Sequence, residues 1–423
     1  MFRSKNVCER YELTPINLDT PLISVLGNNV KQQKNGYHFT INDRSSFFDW
    51  YNAYFEISFK VNKLADGNDY GGGDQIAFIN NAASLIDQLI VKQNGKIIYE
   101  CNNLYKVVNV KTLAELSKDY IESTGTNEFI YLDTTAVAES RDDQDGFNKG
   151  FSSRKGLIQG NREVGAKIPL NNYSFFNGLE TEMLPPSQIQ ITLQLTNDDE
   201  LLYRVNAVDA GRVIVTNLIL WVPRLIFNSD GYSLISESFM KSRRWKYLRE
   251  MIAQSSDTQQ SDLNFRITAA VKNPKHVFVY IQRSNKANSQ EQNPHLLDTF
   301  KVNANNNNCT LRSCRLEVGN GVFYPETEYT SISRIYDDVI GYFHKQNDKN
   351  TGSLLNASNF KSLFGFVHFN LEFARKDMSP DPKTLNLIAK LNVPPAANIR
   401  VYAIVIYEET VQLNTIGNEL VVV

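Results

Sequence analysis

Histidine, tryptophan and cysteine are scarce in this 423-residue chain, at five, three and four residues. The histidines His38, His276, His295, His344 and His368 show neither an HExxH pattern nor a paired spacing, and Cys309 with Cys314 lacks a second ligand pair nearby. The nucleophile elbow, the phosphate loop and the dinucleotide fingerprint are missing too. These gaps exclude the common hydrolytic, nucleotide-dependent and metal-dependent chemistries, so no catalytic residue, cofactor or metal site is assigned. The cysteines Cys8, Cys101, Cys309 and Cys314 are too few and too scattered for a disulfide framework and are read as free thiols.

An excess of either charge is also lacking. Lys plus Arg number 44 against 46 for Asp plus Glu, a net charge of -2, so no global basic field draws the chain onto nucleic acid. The opening stretch has no apolar core of signal-peptide length, and nothing later approaches ~18 uninterrupted apolar residues. A protein kept in the cytosol or nucleus, without membrane insertion, is the expectation. The sequons at Asn172, Asn308 and Asn356 then read as chance matches.

The chain is rich in the vocabulary of antiparallel β-structure. It holds 20 Tyr and 24 Phe with many Val, Ile and Thr, punctuated by Gly, Asn and Asp. Tyr54 to Val61, Ile189 to Leu195 and Leu385 to Leu391 alternate apolar and polar residues, as strands with one wet face do. Val213 to Trp221 and Ile399 to Tyr407 are apolar on both faces, which predicts strands buried inside a sandwich. Helical spacing occurs twice. Leu104 to Tyr120 aligns Val107, Val110, Leu113 or Ala114, and Leu116 along one stripe, and Ile332 to Phe343 spaces Ile335, Val339 and Phe343 four apart.

The length suits two domains of roughly 200 residues, each burying its own core. An internal match supports that division. Ser84-Leu85, Ile90, Asn94-Gly95, Ile97 and Ile98 meet Thr310-Leu311, Leu316, Asn320-Gly321, Phe323 and Tyr324 at a constant offset of 226 residues. Both copies run strand, Asn-Gly turn, strand, which is the signature of a hairpin. The expected organisation is an N-terminal arm over 1–36, a first sandwich over 37–228, a linker over 229–260 and a second sandwich over 261–423.

Long polar stretches at 65–74, 138–163, 284–295, 303–308 and 345–352 read as loops that carry contacts. The Gly71 to Gly73 run reads as a flexible loop and the acidic Asp142 to Asp145 run as a solvated one, since it lacks the Gly and Glu spacing of a calcium loop. In the linker, Arg243, Arg244 and Lys246 flank Trp245 and form the best nucleic-acid-facing cluster, combining cations with an aromatic plane. The competing reading of that stretch is a solvated helix whose Trp245 packs between the two sandwiches.

The blocks YNAYFEISFKV, INNAASLIDQLIVKQNGKIIY and NNLYKVVNVKTL resemble the first half of major capsid proteins from Polinton/Maverick-type elements, adintovirus-like agents and related eukaryotic DNA viruses. Ile168-Pro-Leu170, Leu184 to Leu193 and VIVTNLILWVPRLIF resemble the closing strands of that half, and KTLNLIAKLNVPPAANIRVYAIVIYEETVQLN the family's C-terminal pair. The resemblance runs from about residue 37 to the end. It implies an all-β fold of two tandem eight-stranded antiparallel jelly-roll sandwiches, with a few short helices in the connections. It also implies a structural subunit: a homotrimer acting as a pseudo-hexameric capsomer. Its partners would be neighbouring capsomers and penton or minor capsid proteins in an icosahedral virion, with packaged DNA touched only indirectly. The competing functions are a carbohydrate- or receptor-binding β-sandwich and a minor (penton) capsid protein. An enzyme on two cupin-like sandwiches would need a His/Glu cluster on facing strands, which the sequence does not offer.

Overall fold

The computed structural model of the chain describes residues 8–16, 36–43, 45–136, 147–205, 208–241, 244–284, 290, 292–301, 309–319, 321–348, 350–372, 381–414 and 419–422. Sixteen principal strands form two sandwiches. The first uses β1 (Cys8–Ile16), β2 (Gly36–Ile41), β3 (Tyr54–Lys63), β4 (Ile86–Gln93), β5 (Lys96–Cys101), β6 (Val164–Pro169), β7 (Ile189–Leu195) and β8 (Gly211–Phe227). The second uses β9 (Arg244–Gln254), β10 (Asp262–Val271), β11 (Pro274–Arg283), β12 (Leu311–Val318), β13 (Val322–Tyr329), β14 (Val367–Asn370), β15 (Lys383–Leu391) and β16 (Ile399–Asn414).

In the first sandwich the sheet orders are β1-β8-β3-β6 and β2-β7-β4-β5; in the second they are β9-β16-β11-β14 and β10-β15-β12-β13. Adding eight to each strand of the first half gives the second. All of these pairings are antiparallel.

Period-two patterning places the cores. Phe55, Ile57, Phe59 and Val61 of β3 are buried while Glu56 is exposed, and Phe55 meets Phe39 of the opposite sheet with ring centroids 5.5 Å apart. In the second half, Tyr329 of β13 packs on Phe369 of β14 at 5.8 Å, and Phe369 sits opposite Val277 of β11. Val277 therefore faces the partner sheet, and His276, Phe278 and Tyr280 face the other way.

The matched hairpins are real. β4 turns into β5 through Asn94 (φ 49°) and Gly95 (φ 80°), and β12 into β13 past Gly321 (φ 82°). Asn320 lies outside the described residues. Each hairpin is followed by a helix, α1 (Leu104–Glu115) in the first half and, in the second, the later-numbered α5 (Ile332–Gln346). Between them in sequence come, among other helices, α2 (Lys149–Ile158), α3 (Ser174–Asn177) and α4 (Ser229–Lys241), and α6 (Ala357–Ser362) follows.

Three expectations are modified. Strand β1 lies within the stretch read as an arm and β9 within the stretch read as a linker, each the edge strand beside its sandwich's longest strand. The two long apolar strands differ in burial. Ile399 to Ile406 is buried on both faces apart from half-buried Arg400, whereas in Val213 to Trp221 only Leu218 and Leu220 are buried and Ile214 is 38% exposed. The cause is cover: one face of β16 lies under helices, and the equivalent face of β8 does not.

Candidate functional site: the junction between the sandwiches

The cover over β16 and β11 is α1 and α5. Tyr342 of α5 packs its ring on Phe278 at 5.3 Å and on His368 at 4.6 Å. Tyr280 and Tyr402 stack at 5.1 Å, and Lys106 of α1 sets its ammonium 4.7 Å from the Tyr402 ring and 4.4 Å from that of Tyr105. The helix α1 is buried from Leu104 to Ala114, polar Lys106, Asn109, Lys111 and Thr112 included. The single stripe expected from sequence accounts for only part of what α1 buries. By contrast, α5 buries Ile335, Val339, Tyr342 and Phe343 and leaves its opposite side to solvent. Burial lowers the Lys106 amine to about 8, against the opposing pull of Glu200.

Strand β9 supplies the second contact. Glu250, buried on β9, accepts a hydrogen bond from the Tyr99 hydroxyl of β5 at 2.7 Å and from the Ser174 backbone N–H of α3 at 3.1 Å. Tyr247 donates to the Ile98 carbonyl at 2.6 Å and packs edge-on against Phe175 at 5.2 Å. Desolvation holds the Glu250 carboxyl above its usual range, with Lys111 pulling the other way. Replacing Tyr99 by Phe removes one donor from this buried carboxyl group, and a loss of about 1–3 kcal/mol in chemical denaturation is the expected result.

A third contact comes from the loop before β12. The Asn293 amide donates to Asp133 Oδ2 at 2.9 Å, and the Gln290 side chain forms a two-way pair with the backbone of Gly211, at 2.8 and 2.9 Å. His295 Nδ1–H donates to Asn109 Oδ1 at 2.8 Å, and the Asn109 amide donates to the His295 carbonyl at 3.1 Å. The long loop expected to carry contacts does so at these residues. Together the three contacts fix one sandwich against the other with bonded, buried polar groups, which costs less than leaving them unpaired and disfavours other packings.

The sequence-selected cluster is not gathered here. Arg243 and the side chains of Arg244 and Trp245 lie outside the description, as does the acidic run at Asp142 to Asp145. The stretch is strand rather than helix: Arg244 opposes Gln412, and Lys246 opposes Thr410 and pairs its ammonium with Glu408 at 2.9 Å. Glu408 also pairs with Lys275 at 3.2 Å. Two histidines whose spacing in the sequence showed no pairing are both buried and joined, His368 Nε2 lying 3.2 Å from His276 Nδ1. Cys101, Cys309 and Cys314 are free and buried, and burial raises all three thiols. Among the described residues no three His, Cys, Asp or Glu side chains are placed to hold a metal ion, and no helix is long and apolar enough to cross a membrane.

Sequence comparison finds no matching family model and no matching curated protein. Comparison of folds does find matches. The chain superposes on a Sputnik virophage structure with a TM-score of 0.61 at 12% identity, over 99% of this chain and 89% of that one. The Faustovirus major capsid protein gives 0.58 at 9%, over 96% and 90%, and the mavirus major capsid protein 0.51 at 12%, over 97% and 90%. The fold is a double jelly roll. Because the superpositions run nearly end to end, both sandwiches and their mutual placement are shared with these double jelly rolls, at identities where little sequence remains in common.

Proposed function

We propose that this chain is a major capsid protein. Three copies close a pseudo-hexameric capsomer, and capsomers tile an icosahedral shell around a double-stranded DNA genome, in a virus or virus-like element of the Polinton/Maverick kind. The observation that carries this reading is the repetition of one eight-stranded sandwich, in the same strand order, within a single chain that spans nine-tenths of two major capsid proteins. Two wall units per chain, divided within 228–243, turn three chains into six segments that fit a hexagonal lattice. Such a subunit works through faces: an obligate interface buries ~2,000 Å² or more, and many weak contacts act together. Neighbouring capsomers and penton proteins are the direct partners, and the Arg243, Arg244 and Lys246 cluster is the place where packaged DNA would be felt. The reading assigns the chain no chemical reaction.

Purified protein is expected to scatter light as a particle of three times the 48.2 kDa chain mass and to show hexagonal outlines in negative stain. A monodisperse monomer would overturn the reading.

A further inference from the structure

The two sandwiches share a strand order but differ in how one end is closed. In the first, residues 42–53 connect β2 to β3, whereas in the second only Lys272 and Asn273 connect β10 to β11. The first connection folds back over the end it spans. Phe48 sits opposite Arg224 and Phe47 opposite Leu225, beyond the point where β3 begins opposite Trp221. Phe48 packs on Trp50 at 6.0 Å and Trp50 on Phe176 at 6.1 Å, and all three are buried. Asp49 is buried between them and accepts a hydrogen bond from the Asn52 amide at 2.7 Å, while Asp43 approaches Arg224 at 3.7 Å. The plug is thus aromatic and acidic.

The second sandwich has no such plug among its described residues. Strand β11 begins at Pro274, opposite Tyr407. Beyond that point the Glu408 N–H donates to the Asn273 carbonyl at 3.2 Å, and the strand Glu419–Val422 takes up pairing only from Val411 onward. A cleft of about 370 Å³ opens here between the two sheets, within the size range of ligand pockets. Met251 and Tyr407 line it from one sheet, and Val271 and Pro382 from the end of the other. Its charges lean positive. Lys246 and Lys275 share Glu408 at 2.9 and 3.2 Å, Arg249 pairs with Glu409 at 3.1 Å, and Lys272 is exposed at the rim. Asp381 and Lys383, on either side of Pro382, offset each other.

We infer that this open end docks an extended segment of a partner protein, one that presents aromatic side chains beside a carboxylate as Phe47 to Trp50 do in the first sandwich. Two observations select that chemistry. The equivalent end of the first sandwich is closed by such a segment, and the open end carries an excess of cations that complements an acidic partner. Aromatic rings entering the cleft remove Met251, Pro382 and Tyr407, all at least half-exposed, from water. A segment laid beside Thr410 also extends the sheet, as Phe47 and Phe48 do beside β8. The inference goes beyond the capsid reading and does not depend on it, because the cleft lies within one sandwich.

The test is fluorescence anisotropy of a labelled peptide with the sequence of residues 45–50, Ser-Ser-Phe-Phe-Asp-Trp, titrated with the purified full-length protein. Saturable binding with a Kd on the order of 10 μM is expected. The same peptide with both Phe residues replaced by Ala is expected to bind at least ~10-fold more weakly, as loss of aromatic anchors commonly does. On the protein, Ala270→Trp sets a ring at the cleft and is expected to weaken binding as much, and Lys272→Glu to weaken it ~2–5-fold at low salt. Both positions are exposed, so an unchanged melting midpoint shows that each variant folds, and the Ala peptide tests the cleft with the protein unaltered. No saturable binding, or equal affinity for the Ala peptide or the Ala270→Trp protein, would overturn the inference. A drop in particle mass on adding the peptide would overturn it as well, by showing that a second copy already fills the cleft. The mass of the peptide-free particle tests the capsid reading separately.

Discussion

Gly150→Ala is expected to destabilise the first sandwich by at least about 3 kcal/mol, although Gly-to-Ala within a helix ordinarily stabilises by up to ~1 kcal/mol. The reversed sign follows from what α2 rests on. A Cβ at Gly150 would stand 2.1 Å from the Leu132 carbonyl oxygen and 2.7 Å from that of Tyr131, both backbone atoms. One turn later Arg154, fully buried, holds the same segment: Nε donates to the Phe78 carbonyl at 2.7 Å, Nη1 to the Tyr131 carbonyl, and Nη2 to Asp133 Oδ1 at 2.8 Å. The backbone cannot retreat from an added methyl without breaking these bonds. Arg154→Met tests the same clasp from its other end. Among the described residues it leaves buried Asp133 with the amides of Asn148 and Asn293 as its side-chain donors, a loss of about 3–5 kcal/mol for a broken buried pair. At roughly 2–4 °C per kcal/mol, either change lowers the first calorimetric transition by about 6–20 °C. A midpoint for Gly150→Ala at or above the wild type would show that α2 does not bear on that backbone.

Much of the fold is legible in the sequence where solvent faces one side of a strand. Tyr54 to Val61 and Leu385 to Leu391 alternate because one face is wet, and both are strands. The repeat is visible only across the hairpins because insertions elsewhere change the spacing. From β5 to β13 the starting residues differ by 226, but from β3 to β11 by 220, from β6 to β14 by 203 and from β8 to β16 by 188. Strand β9 is opaque for a different reason. Its sequence RWKYLREMIAQ carries charge on both faces, as a sheet edge does, and charge at that density also describes a linker helix. Nothing local marks Glu250 or Lys106 as junction residues. What makes them so is burial by the other sandwich, brought there from about 150 residues away in the Tyr99–Glu250 pair.

Acid is expected to loosen this protein through three buried imidazoles. Desolvation lowers His276 to about 4, with Glu372 opposing and Lys345 and Lys275 assisting; it lowers His295 to about 3, with Arg154 and Lys106 assisting and Asp133 opposing; and it holds His368 well below the ordinary range beside His276. As pH falls below ~6.5 the unfolded chain takes up protons that the fold refuses, so each histidine removes about 1.4 kcal/mol of stability per pH unit until its own folded value is reached. Geometry agrees, since the His276–His368 contact needs one neutral ring to accept. Two buried carboxyls act in the opposite sense. Desolvation raises Glu128 to about 7 and also raises Glu250, so the fold keeps protons there that the unfolded chain releases above ~4.5. Between pH 6 and 5 the balance is a net one to two protons, about 1.4–2.8 kcal/mol per unit, and the slope steepens below ~4.5 where the carboxyls no longer offset it. Denaturant titrations at half-unit intervals from pH 7.5 to 4 measure it. Glu128→Gln is expected to steepen the fall by one proton between pH 6 and 5, and His276→Gln with His368→Asn to flatten it by two. Equal slopes in all three proteins would mean that these rings are charged in the fold, and the packing of Tyr342 over them would then need another explanation.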